Sequence, residues 1–133
     1  MSQKIQLVWK GDFRFDAQAP GGVVTHVDGN GEAGTTPVDL LLESVGACAA
    51  IDVVDILKKA RQEVHGMAVD VEATRRDEPP RYVKRLEFRF RIKGDIDQGK
   101  AERAVDLSLE KYCSVFHTLR MDIMLDVEVK IES

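Results

Sequence analysis

The chain has 133 residues, a net charge of −4, and 44% hydrophobic against 32% charged residues. This is an ordinary globular balance, and the length suits one domain, 1–133, that buries a core without disulfide staples. No Lys/Arg run is present to support non-specific nucleic-acid binding, no apolar run approaches the roughly 18 residues of a membrane span, and "MSQKIQLVWK" lacks the apolar core of a signal peptide. The expectation is a cytoplasmic protein with no nucleic-acid or membrane partner.

In chain order, "QKIQLVW" alternates Ile5, Leu7 and Trp9 and predicts a strand. "KGD" makes a turn, and "FRF" sets Phe13 and Phe15 on one face with Arg14 on the other. "APGG" breaks the chain, "VVTHV" predicts a third short strand, and "DGNGEAGTTP" is a loop. A helix begins at Pro37, with Thr36 as its cap and Asp39 in the acidic position of a capping box, and runs to about Arg61. Its middle, Val45 to Val54, is small or apolar nearly all round except at Asp52, so it must be covered by sheet, by a partner subunit, or by both. Gly46 within it permits close packing.

Two long strands follow, "MAVDVEAT" and "YVKRLEFRFRIK", the second with Leu86, Phe88, Phe90 and Ile92 inward and Glu87, Arg89 and Arg91 outward. Asp97 caps a second helix, whose apolar stripe is Ala101, Val105, Leu109, Cys113 and Phe116. Crowding by Tyr112, Val115 and Phe116 predicts a break or bend near Cys113. "IMLDVEVKI" is the last strand. The order βββ-α-ββ-α-β among mostly antiparallel strands defines an α+β fold.

The chain has two cysteines, Cys48 and Cys113, one in each helix and both on apolar faces. A free cysteine commonly serves as a small buried hydrophobe. No CxxC or Cys/His spacing is present, which argues against a zinc site, and no metal or other cofactor is expected. The competing reading is a pair of reactive thiols. In such a pair one thiolate takes oxygen from a peroxide to become a sulfenic acid, and the other condenses with it to a disulfide.

"TTPVDLLLESVGACAAIDVVDIL" followed by "DLSLEKYCSVFHTL" resembles the OsmC/Ohr family of thiol-dependent hydroperoxide reductases, most nearly its YhfA-like branch. "VDGNGEAGTTPVDLLL" fits the glycine-bearing loop that precedes a Pro-led helix in that family. The resemblance covers essentially the whole chain. It implies an intertwined homodimer with a long buried central helix wrapped by antiparallel sheet, and active sites at the subunit interface. It also implies a peroxide substrate, recycling by a dithiol reductant, Cys48 as the attacking thiol and Cys113 as the resolving one.

In the family an arginine from the N-terminal strands lowers the thiol pKa, and a glutamate after the helix-leading proline holds it. Here the N-terminal strands offer Arg14, with Lys4 and Lys10 nearby, and the residue after Pro37 is Val38 with the carboxylate at Asp39. At about 100° per residue, position 38 lies about 80° from Cys48 around the axis, whereas Asp39 lies about 180° away. Asp39 is therefore a cap by geometry and a site residue only by resemblance. Asp52, at i+4, shares the face of Cys48, where an unpaired anion opposes thiolate formation. His117 shares the face of Cys113 if the helix continues. Trp9, Tyr112 and Phe116 are candidates to line an apolar substrate pocket, with core packing as the ordinary alternative.

Two alternatives stand beside the peroxidase. One is a non-catalytic protein on the same scaffold, binding an apolar small molecule or a partner. The other is a thioesterase-like enzyme, which has fold likeness and no motif in its favour.

Overall fold

Residues 1–133 are described by a computed structural model. They form two compact units, Met1–Leu41 and Leu42–Ser133.

The first unit is a meander of β1 (Gln6–Gly11), β2 (Arg14–Gln18) and β3 (Thr25–Asp28), all antiparallel. The predicted "KGD" turn is real. Gly11 at φ 105° and Asp12 at φ 48° take the left-handed backbone that reverses the chain in so short a space. Phe13 falls in this turn rather than on β2. Beyond β3 the buried Asp28 carboxylate accepts the backbone N–H groups of Asn30 and Ala33 and so organises the glycine-bearing loop. Those N–H groups, Ala33 foremost, hold its pKa below the usual carboxylate value. Within the chain the large apolar side chains of β1 are uncovered: Leu7 is 57% and Trp9 64% exposed.

Helix α1 (Pro37–Lys59) starts as its sequence predicts, with the Asp39 N–H donating to Thr36 Oγ1 at 3.3 Å. Its buried positions Val45, Gly46, Ala49, Val53 and Leu57 recur at helical spacing. Sheet and helices of the second unit cover this stripe, while Ile51 on another face is 68% exposed.

The second unit is a three-stranded sheet in the order β4 (Glu63–Arg75), β5 (Val83–Asp95), β6 (Met124–Glu132). Leu86, Phe88, Phe90 and Ile92 alternate inward along β5 and are essentially fully buried, as the period-two pattern predicts. Each such burial contributes about 1.5–3 kcal/mol. On the outer face Arg89 reaches diagonally to Glu72 and Arg91 to Asp70, and Arg85 pairs with Asp126.

One pairing departs from the antiparallel expectation: β6 runs parallel to β5. The intervening helices carry the chain back to the start of the sheet, and such a crossover returns the next strand in the same direction. The α+β element order is the expected one. No helix is long and apolar enough to cross a membrane.

Candidate active site

The second helical region is three pieces. Helix α2 (Gln98–Leu107) is capped by Asp97, whose carboxylate accepts the Lys100 N–H at 2.9 Å. A π-helical turn follows at Ser108–Tyr112, then α3 (Ser114–Thr118). The break predicted near Cys113 is thus a widened turn. In an α-helix a step of five residues advances about 140° past a full turn. Here the Cys113 N–H donates to Ser108 O at 2.7 Å, an i to i−5 bond that closes a single wide turn. Ser108 and Cys113 are both fully buried in consequence.

Cys113 leaves that turn in an extended conformation, φ −74° and ψ 95°. Its backbone is no longer α-helical, so the condition that put His117 on the thiol's face is not met. His117 is exposed and stands edge-on to the Phe116 ring at 5.8 Å.

From α1, Cys48 and Asp52 present side chains one helical turn apart. The two sulfurs and an Asp52 carboxylate oxygen all lie within 4.8 Å of one another. Cys48 and Asp52 are half-buried and Cys113 is buried. Both cysteines are free thiols. The Cys113 thiol donates to the Val45 carbonyl at 3.9 Å, which requires that it keep its proton. Burial above all pushes the Cys113 pKa from 9.0 up to about 11. The Phe116 backbone N–H opposes that rise, and Cys48 and Asp52 add to it.

Asp52 is held by a hydroxyl. Ser108 Oγ donates to its Oδ2 at 3.0 Å and lies 3.3 Å from Ala49 O. Sequence reasoning noted Asp52 on the thiol face and missed Ser108. Its signal was a small hydroxyl between Val105 and Leu109 on an otherwise apolar stripe. Two soft sulfurs and one oxygen at these separations also form a three-donor cluster of the kind metals accept, which sequence spacing did not reveal.

The other expected site residues are placed as follows. Arg14 lies in the first unit, exposed, its guanidinium donating to Lys10 O at 3.3 Å beside the β1–β2 turn. Asp39 is exposed in the first turn of α1. Trp9 is exposed and donates through Nε1 to Asp12 O at 2.9 Å. Tyr112 is exposed with the Lys111 ammonium 5.3 Å from its ring centre. Phe116 is half-buried against the core of the second unit.

A helix from one part of an α+β fold and a widened helical turn from another, bringing two free thiols together beside a carboxylate, define a paired-thiol protein. The chain belongs to the family of OsmC-like proteins, which matches residues 29–128. It is similar to protein YhfA of Escherichia coli, 39% identical over 109 residues that cover 80% of this chain and 81% of that one. It superposes on the crystal structure of a hypothetical protein from Aquifex aeolicus with a TM-score of 0.91 at 30% identity, over 99% of this chain and 97% of the other. The organic hydroperoxide resistance protein OhrB of Bacillus subtilis superposes with a TM-score of 0.67 over 99% of this chain and 98% of its own. At 17% identity that likeness speaks for the fold alone.

Proposed function

We propose that the protein is a two-cysteine peroxidase that reduces organic or hydrogen peroxides. Cys48 attacks the O–O bond and becomes a sulfenic acid, releasing the alcohol or water. Cys113 then condenses with it to a disulfide, and a dithiol reductant restores both thiols. The observation that supports this most is the approach of the two sulfurs to within 4.8 Å from separate helical elements. The unequal exposure of the thiols fits the two roles: half-buried Cys48 is open to substrate, while Cys113 is sequestered until Cys48 is oxidised. Membership of the OsmC-like family supports the same reading.

The working form is a cytoplasmic homodimer. A second copy would cover the apolar side chains that one chain leaves uncovered, Leu7, Trp9, Phe13 and Ile51 among them. Arg14 is the candidate to activate Cys48, with Asp39 as its carboxylate partner, and Trp9, Tyr112 and Phe116 are candidates to line the substrate pocket.

Mass spectrometry after one equivalent of peroxide tests this. The expected product has lost two hydrogens and carries a Cys48–Cys113 crosslink. Cys48→Ser is expected to consume no peroxide, and Cys113→Ser to accumulate a sulfenic acid that dimedone traps. Unchanged thiols in the wild type would instead favour a non-catalytic protein that binds an apolar small molecule or a partner. The observation on that side is Asp52, an anion beside both thiols with no cation paired to it.

A further inference from the structure

We propose that Asp52 is the proton acceptor for the resolving thiol, oriented for that task by Ser108. The inference rests on the two-thiol reading above and gives the carboxylate beside the thiols a chemical role.

The argument begins with what Cys113 must do. To attack an oxidised Cys48 it must lose its proton, and its buried position makes that loss unfavourable at neutral pH. In the resting structure the thiol proton points to the Val45 carbonyl, which accepts a hydrogen bond and is no base. The titratable groups around Cys113 are Cys48 and Asp52. Cys48 is the electrophile in this step, which leaves Asp52. Its carboxylate lies within 4.8 Å of both sulfurs, a span that one bridging water covers.

The surroundings fit a base held in place. Ser108 Oγ, itself wholly buried, donates to Oδ2 of Asp52. Ser108 belongs to the same π turn that delivers Cys113, through the bond between Ser108 O and the Cys113 N–H. One wide turn therefore positions the thiol and orients the carboxylate that serves it.

The step balances as follows. The Cys113 S–H proton passes to Asp52, and the sulfur lone pair attacks the Cys48 sulfur of the sulfenic acid. The S–O bond breaks and its electron pair leaves with hydroxide, which takes the proton from Asp52. The products are the Cys48–Cys113 disulfide and one water. The same carboxylate thus acts first as base and then as acid.

The test isolates this step from peroxide. The reduced protein is treated with bis(thionitrobenzoate) disulfide. Attack by Cys48 releases one coloured thiolate and leaves a mixed disulfide, and displacement by Cys113 releases a second. Cys113→Ser stops after the first release. Asp52→Asn is expected to slow the second release about a hundredfold at neutral pH, the low end of what a positioned proton acceptor contributes. The loss should shrink as pH rises toward about 11, where Cys113 ionises unaided. Asp52→Glu should recover most of the neutral-pH rate. Asp52→Ser keeps a partner for Ser108 but offers no base, and should reproduce the loss if the Asn variant folds poorly. A second release at the wild-type rate in Asp52→Asn or Asp52→Ser would overturn the inference, as would a slowing that does not change with pH. Because no peroxide enters, a protein inert to peroxide but with Asp52-dependent release would lose the peroxidase reading and keep this one.

Discussion

Cys113 keeps its proton because burial disfavours the thiolate, and this has a consequence for stability. Its pKa is about 11 when folded against an ordinary value of 9.0, so between these pH values the folded chain holds a proton that the unfolded chain has lost. A group with a raised folded pKa stabilises fully below its unfolded pKa, and that contribution disappears as pH rises through the folded one. Denaturant midpoints should therefore fall more steeply between pH 9.0 and about 11 for the wild type than for Cys113→Ala. Equal slopes would show that this thiol is not the group responsible. Ser108 carries a separate expectation. Its hydroxyl is buried and bonded to a carboxylate, so Ser108→Ala should lower stability by about 1.5 kcal/mol, read from urea unfolding. Asp52 was legible beside Cys48 because i+4 spacing fixes a shared helix face. Ser108 was not legible, because only the tertiary approach of the π turn to α1 supplies its partner.

At the scale of elements, Gly46 shows how a helix and a strand set each other's distance. A Cβ added there would lie 2.8 Å from Val71 Cγ2, a methyl on a stiff β-branched side chain. Replacing Gly by Ala within a helix gains about 1 kcal/mol in propensity, whereas overpacking costs about 1–3 kcal/mol. Gly46→Ala should therefore be neutral to destabilising by about 2 kcal/mol in a thermal melt, and a clear gain would mean that α1 can move away from β4. The strands and both principal helices were legible because periodicity and caps are local signals. Phe88 and Phe90 alternate inward as their spacing requires, and Asp97 caps α2 as its position requires. The parallel entry of β6 was not legible. Its own pattern is equally compatible with either direction, and the direction is set by the helical crossover before it.

Across the whole molecule, the two thiols are separated by 65 positions (113 − 48) in a chain of 133. A disulfide closing so long a loop removes much unfolded-state freedom, of the order of 4 kcal/mol in the chain-entropy view. On the peroxidase reading, the oxidised protein should melt several degrees above the reduced one, by scanning calorimetry with and without a dithiol. An oxidised form that melts lower would mean that closing the bond strains the fold. The uncovered apolar residues carry the dimer expectation. Ile51→Glu places a charge on the exposed apolar face of α1 and should leave a monomer by light scattering, whereas an unchanged mass would put the dimer contact elsewhere.

By itself the sequence determined the identity and order of the elements, the capped starts of the helices, the core face of β5, and a break at Cys113. Each of these depends on residues within a few positions of one another. The motifs around Cys48 and Cys113 carried the family. The tertiary structure alone decided that the two sulfurs approach each other, that β6 lies parallel to β5, and that a carboxylate held by a buried hydroxyl stands beside the thiols. The physical reason is that hydrogen bonding along a helix fixes local geometry from local residues, whereas Ser108 and Asp52 stand 56 positions apart and meet only when α1 and the π turn pack together.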